Sequence, residues 1–242
     1  MNIMDKIKAR ANLNQSPDEI IAEIKARRAE DESKQYEHFD KQFKDASANE
    51  TLGRSGILPL HMKCTVANFE ADTPEKMIAK NFAKNYVINF GNNNGQGFIF
   101  SGNSGTGKNH LAAAMCNALM NRGKSCLVIT VNELMQKLRN CYQSNSETTE
   151  DKFFRTMIDF DLLVLDEIGL QRNNDNERLA LNQIVDQRIG RMKPTGMLTN
   201  LPAGSKDSLE PNMNDLLGVR IMDRMRMNGG EWISFDWESF RK

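Results

Sequence analysis

"GNSGTGKNH", residues 102–110, follows the apolar run "GFIFS" and leads into "LAAAMCNALMNRG". A short buried strand, a glycine-rich turn and a helix, in that order, build a phosphate-binding loop. Glycine lets backbone N–H groups turn towards a phosphate with no Cβ in the way. The helix N-terminus adds partial positive charge, and Lys108 reaches the β- and γ-oxygens. Gly102, four intervening residues, Gly107 and Lys108 have the required spacing. The residues expected around the phosphates are therefore Gly102, Asn103, Ser104, Gly105, Thr106, Gly107, Lys108, Asn109 and His110. Asn109 stands where such loops normally carry Ser or Thr. A hydroxyl offers Mg²⁺ one neutral oxygen; an Asn carbonyl offers one too, from a longer side chain.

Outward from this loop, continuous apolar strands alternate with helices. Residues 108–122 read as a helix, with Gly123 at the position a left-handed cap prefers. "CLVITV" is a second strand, and "NELMQKLRNCY" a helix with Leu134, Leu138 and Cys141 on one face. "SNSETTED" reads as a polar loop, "LLVLDEIG" as a third strand, "NERLALNQIVDQRIGRM" as an amphipathic helix and "TGMLTN" as a fourth strand. "EWISFDW" alternates apolar and polar residues, as a strand near a sheet edge does. The pattern predicts an α/β fold, a parallel sheet covered by helices on both faces.

Three further features belong with the loop. "LLVLDEIG" sets Asp166 and Glu167 at the carboxyl end of a buried strand, the edge where ligands bind in open α/β sheets. Asp166 is expected to hold Mg²⁺ together with Asn109, and Glu167 to polarise an attacking water. A kinase has no need of that second acid, so the pair favours hydrolysis. Asn200 ends the fourth strand; such an Asn is more often a turn residue, but beside a phosphate loop it can sense the γ-phosphate. "GVRIMDRMRM" carries Arg220, Arg224 and Arg226, the first two on one helical face. They read either as a surface basic helix or as an arginine finger for a neighbouring subunit, with Arg224 the preferred finger and Arg220 beside it.

The first fifty residues differ. "SPDEIIAEIKARRAEDESKQYEHFDKQF" opens with Ser16 as N-cap, Pro17 at the first helical position and Glu19 closing a capping box. Ile20, Ile21 and Ile24 form one short apolar stripe, and Tyr36, Phe39 and Phe43 another. Either this is a solvated helix with a marginal face, or a docking arm whose stripe a partner completes. The expected division is a helical region and linker over residues 1–52 and the α/β domain over residues 53–242.

Over 242 residues, Lys+Arg and Asp+Glu both number 32, so nucleic-acid contact must be a local patch, not a global field. The four cysteines show no metal-ligand spacing, and no apolar run is long enough for a membrane span. With no apolar signal core at the N-terminus, the sequence predicts a soluble cytoplasmic protein.

Read as whole phrases, "SGILPLH", "FIFSGNSGTGKNHLAAA", "RGKS", "LLVLDEIG", "NQIVDQR", "KPTGMLTN" and "RIMDRMRM" resemble the DnaC-type loaders of bacterial replicative helicases, within the AAA+ ATPases. The resemblance runs from about residue 54 to the end and includes the Asn after the loop lysine. It implies an AAA+ P-loop domain that binds ATP, ADP and Mg²⁺, and self-association through ATP-bridged AAA+ interfaces. It also implies an N-terminal region that grips a DnaB-type helicase hexamer, and contact with single-stranded DNA. The family's DNA-touching element corresponds to the helix after "CLVITV", here with Lys137, Arg139 and Tyr142. Tyr142 could equally cap a hydrophobic patch. Part of the nucleotide-base pocket is expected around "GILPLHMKCTVANF", and little room is left for the helical lid that many AAA+ proteins carry. Host or phage origin stays open. The competing expectations are an IstB-type transposition helper, a small-molecule P-loop kinase and a non-hydrolysing adaptor.

Overall fold

A computed structural model describes residues 56–143, 148–169, 175–201 and 212–241. The expected helical region over residues 1–52 lies outside them. Five strands, β1 (Phe98–Gly102), β2 (Cys126–Thr130), β3 (Leu162–Ile168), β4 (Thr195–Thr199) and β5 (Glu231–Phe235), form one sheet in the order β2-β3-β4-β1-β5. Every pairing is parallel. β5 is an edge strand, as its alternating sequence predicts.

The period-two alternation of a strand decides which side chain faces which layer. Ile99, Leu163, Leu165 and Met197 point into one core. Phe98, Phe100, Leu162, Val164 and Leu198 point into the other. The second face is covered by α1 (Pro74–Asn89) and α2 (Lys108–Met120). The first is covered by α3 (Val131–Asn140), α4 (Glu150–Asp159), α5 (Asp175–Gly190), the short α6 (Met213–Leu217) and α7 (Val219–Arg226).

Helix ends follow their sequence signals. Thr130 and Thr149 cap α3 and α4 by accepting from the backbone N–H of Glu133 and Lys152. α2 stops at Met120, two residues short of the sequence expectation. Gly123, at φ 82°, then turns the chain so that its N–H reaches Met120 O and the Lys124 N–H reaches Leu119 O. Neither α1 nor α4 is assigned from the sequence above. α4 begins inside the stretch read as polar loop, because Thr149 caps Glu150 and Asp151 into a first turn that then buries Phe153, Phe154 and Met157.

The connection from α4 to β4 is tied by a buried cation. Arg188, on α5, has no exposed surface. Its Nε donates to Thr195 Oγ1, its Nη1 to the carbonyls of Met157, Ile158 and Phe160, and its Nη2 to Pro194 O. Three of those carbonyls lie at the C-terminal end of α4, the negative end of its dipole. A full set of hydrogen bonds is the condition for burying a charge with no carboxylate at hydrogen-bond distance.

Candidate functional site

Lys108 sets the geometry of the loop. It is 6% exposed, and its Nζ donates to Gly102 O (2.7 Å) and Asn103 O (2.6 Å). Burial pulls its pKa down to about 8, against the opposing attraction of Asp166 and Asp236. Gly105 and Gly107 hold φ of 77° and 90°, a region L side chains rarely adopt. A Cβ on Gly107 would also lie 2.7 Å from Phe69 Cε2.

The acidic strand end faces this loop. Register between β3 and β4 slips between Leu165 and Ile168, and Glu167 sits at φ 56° in the irregularity. Such a bulge re-aims side chains that a regular strand would alternate. Both acids consequently line the same cleft as Ser104–His110. Asn109 Nδ2 donates to Asp166 Oδ2 at 2.6 Å, and the Glu167 N–H donates to Asp166 Oδ1 at 2.7 Å. Burial raises the Asp166 pKa, while these two hydrogen bonds and Lys108 act against it.

A loop Ser or Thr can give its proton to a carboxylate and offer its oxygen to a cation. Asn109 divides those tasks, the amide nitrogen on Asp166 and the carbonyl oxygen left over. Among the described residues no cluster of three or more His, Cys, Asp or Glu could hold a metal by itself. Asn109 and Asp166 would therefore share Mg²⁺ with phosphate oxygens, the partial protein shell that this hard, strongly hydrated ion usually takes. The residues fit the ion in that sense.

The cleft, about 730 Å³, is completed by Leu60, His61, Asn68, Phe69, Thr199, Asn200, Phe240 and Arg241. Asn200 is exposed at its wall. Thr199 positions it: its Oγ1 donates to Ile168 O and accepts from the Leu201 N–H. The chain after β5 runs along the phosphate loop. The Asn103 N–H donates to Phe235 O, the Phe240 N–H to Gly105 O, and Trp237 Nε1 to Thr106 O. Gly102 and Asn103 do not line the cleft; they hold Lys108 and this C-terminal segment. His110 points its Nε2 at Asn68 Oδ1 (2.9 Å) and Thr65 O, and its ring packs edge-on against Phe69. It ties the 65–69 turn to α2. His61 lines the cleft with its pKa lowered, first by burial and then by His110. Thr199, Phe69 and Phe240 were not picked out in the sequence, since nothing in a Thr or a lone Phe announces proximity to a loop over thirty residues away.

The other expected residues lie elsewhere. Arg220 and Arg224 share a face of α7, away from the subunit's own cleft, where both pair with Asp186. Arg139 and Tyr142 line a separate groove of about 420 Å³ between α3, α4 and α5, where Tyr142 is 63% exposed. Lys137 does not line that groove. Two residues from Arg139, it sits round the helix, 3.7 Å from Glu133.

A parallel sheet in this order, with a phosphate loop after β1 and an acid pair on β3, defines an ATP-binding domain of the AAA+ class. The "IstB-like ATP binding protein" family model matches residues 30–242. The chain belongs to this family, and it is a relative of the DnaC replicative helicase loaders. It is 46% identical over 191 residues to "Replicative helicase loader DnaC" of Escherichia coli (strain K12), covering 79% of this chain and 74% of that protein. It is 41% identical over 228 residues to "Uncharacterized protein YdaV" of the same organism, covering 93% and 87%. The solved "Crystal structure of the DnaC helicase loader" superimposes with a TM-score of 0.62 at 22% identity, over 73% of this chain and 99% of that one. That last likeness speaks for the fold. Among the described residues, no helix is long and apolar enough to cross a membrane.

Proposed function

We propose that this chain is an ATP-hydrolysing loader that brings a DnaB-type replicative helicase hexamer onto single-stranded DNA in the cytoplasm. The observation that carries it is the convergence in one cleft of Lys108, the Asn109–Asp166 pair, Glu167 and Asn200, in a chain 46% identical to a replicative helicase loader.

In this reading the loop N–H groups and Lys108 take the β- and γ-phosphates. Lys108 then leaves the carbonyls of Gly102 and Asn103 for phosphate oxygens. Asn109 and Asp166 would hold Mg²⁺, and the ion bound there would supply positive charge against the leaving phosphate. Glu167 accepts a proton from the attacking water, and Asn200 orients that water against the γ-phosphate. Arg224, with Arg220 beside it, acts on the γ-phosphate of a neighbouring copy, so a lone subunit turns over slowly. Arg139 and Tyr142 meet single-stranded DNA, charge following phosphate and ring stacking on base, with Lys137 contributing charge from the adjacent face. Residues 1–52 grip the helicase. ATP is then chiefly a switch, since γ-phosphate contacts order the subunit interface and their loss relaxes it.

An IstB-type transposition helper is the second reading, favoured by the description of the matching family model. It predicts affinity for double-stranded DNA and no stable helicase complex.

Two measurements test the proposal. ATPase turnover of the purified protein should rise with single-stranded DNA; turnover indifferent to DNA and helicase at every concentration removes the mechanism. The full chain should retain a bacterial replicative helicase in a pull-down, and a chain lacking residues 1–50 should not. Helicase binding that survives the deletion overturns the docking role of that region.

A further inference from the structure

α5 buries Ala180, Leu181, Ile184, Val185 and Arg188. Asp186 lies on its flank, where α7 crosses it, and keeps only 23% of its side chain exposed. α7 buries Ile221, Met222 and Met225 and turns Arg220 and Arg224, one turn apart, onto that same carboxylate. The two contacts differ in kind. Arg220 meets Asp186 Oδ2 through a terminal nitrogen, Nη2, at 2.5 Å, so its own fork is engaged. Arg224 brings its inner nitrogen, Nε, to 3.1 Å from Oδ1. This is an ion-pair contact without hydrogen-bond alignment, so Oδ1 is buried and accepts no hydrogen bond from the described residues. Among the described residues, the one hydrogen-bond contact of the Arg224 Nη groups is the soft one from Nη1 to Met227 Sδ at 3.6 Å. Among the described residues no second carboxylate lies within ion-pair distance of Arg224.

We infer that Asp186 is a positioning residue whose ion pair holds Arg224 at its Nε end, leaving the Nη fork to a phosphate arriving from a second copy of this chain. This rests on the finger reading proposed above and deepens it. A guanidinium recognises phosphate best through a pair of parallel N–H donors. Holding the guanidinium beside Asp186 beforehand spares the arginine part of the rotamer entropy it would otherwise lose on meeting the anion. One carboxylate against two guanidiniums leaves the face with a net positive charge, so the anchor does not cancel the attraction it serves. Arg220, by occupying Oδ2, keeps Oδ1 turned to Arg224.

The test uses the full chain and DNA-stimulated ATPase measured against protein concentration. Asp186→Asn should lower kcat about 10–100-fold, the range typical for partners that orient a directly acting group. Affinity for a non-hydrolysable ATP analogue and the melting temperature should stay close to wild type. Arg224→Ala should lose at least as much, and adding Asp186→Asn to it should slow turnover no further. Excess Lys108→Ala protein, which lacks a working nucleotide site but keeps Asp186 and Arg224, should restore turnover to Asp186→Asn in mixed assemblies. Wild-type turnover by Asp186→Asn beside an impaired Arg224→Ala overturns the inference and leaves the finger reading standing. So does a failure of the Lys108→Ala protein to rescue Asp186→Asn. Wild-type turnover by Arg224→Ala overturns the finger reading itself, and Asp186 with it. If Asp186→Asn melts early, Asp186→Glu decides. The longer carboxylate should fold and give intermediate turnover, again rescued by Lys108→Ala; no deficit, or a deficit without rescue, counts against the inference.

Discussion

Raising pH should unload the phosphate site through Lys108. Its amine is buried against two carbonyls and titrates at about 8 in place of the ordinary 10.5. The sign follows from the charge. Phosphate requires the protonated amine, the free site loses that proton as pH rises through about 8, and bound phosphate restores it. Affinity for ATP should therefore be nearly flat below pH 7 and fall about tenfold per unit above 8, or about 30-fold between pH 7 and 9.5. Proton uptake on binding should be small at pH 7 and about half a proton at pH 8. Titration calorimetry in two buffers of different ionisation enthalpy measures both quantities. Lys108→Arg, whose guanidinium stays charged throughout, should bind with a much shallower pH slope, whatever its affinity at pH 7. The reasoning is refuted if affinity is constant from pH 7 to 9.5 and no proton is taken up at pH 8. The two carbonyls would then be holding a full ammonium despite its burial.

Three other perturbations have definite outcomes. Gly107→Ala puts a Cβ 2.7 Å from Phe69 Cε2 at a φ of 90°; nucleotide binding should fall at least tenfold, and a calorimetric titration equal to wild type would contradict it. Arg188→Met strips the donors from four buried carbonyls and Thr195. The cost should be about 3–5 kcal/mol, read as a melting temperature lower by roughly 6–20 °C. Asn109→Ala loses both the hydrogen bond to Asp166 and the leftover carbonyl, so the gain in ATP affinity on adding Mg²⁺ should shrink about tenfold or more, while Asn109→Thr retains most of it. Equal magnesium dependence in all three proteins would remove Asn109 from the metal site.

Much of this site is legible in one dimension because its parts are local. The loop at 102–109 needs glycines at fixed offsets from a lysine, and the acid pair at 166–167 needs only to end an apolar run. Both requirements are met within a few neighbouring residues. α1 and α4 escaped the sequence reading for the opposite reason. α1 has no sharp apolar stripe. α4 does carry one, Phe153, Phe154 and Met157, but the helix is only ten residues long, and its cap and first turn, Thr149 with two acids, fall in a stretch that reads as polar loop.

Composition and periodicity determined that this chain makes a parallel α/β sheet with a phosphate loop, an acid pair and a strand-end Asn on its carboxyl edge. Those features depend on residues close together in the chain, where backbone sterics and period-two or 3.6 patterning act directly. Only the tertiary structure decided what stands against them. Phe69 and Phe240 close on Gly107, Asn109 hands its amide to Asp166 57 residues away, and Asp186 meets Arg220 and Arg224 across two helices. Such pairings follow from how strands are ordered in the sheet and helices cross over it. No local pattern encodes them, because the energy that selects them comes from burying the two faces of the sheet together.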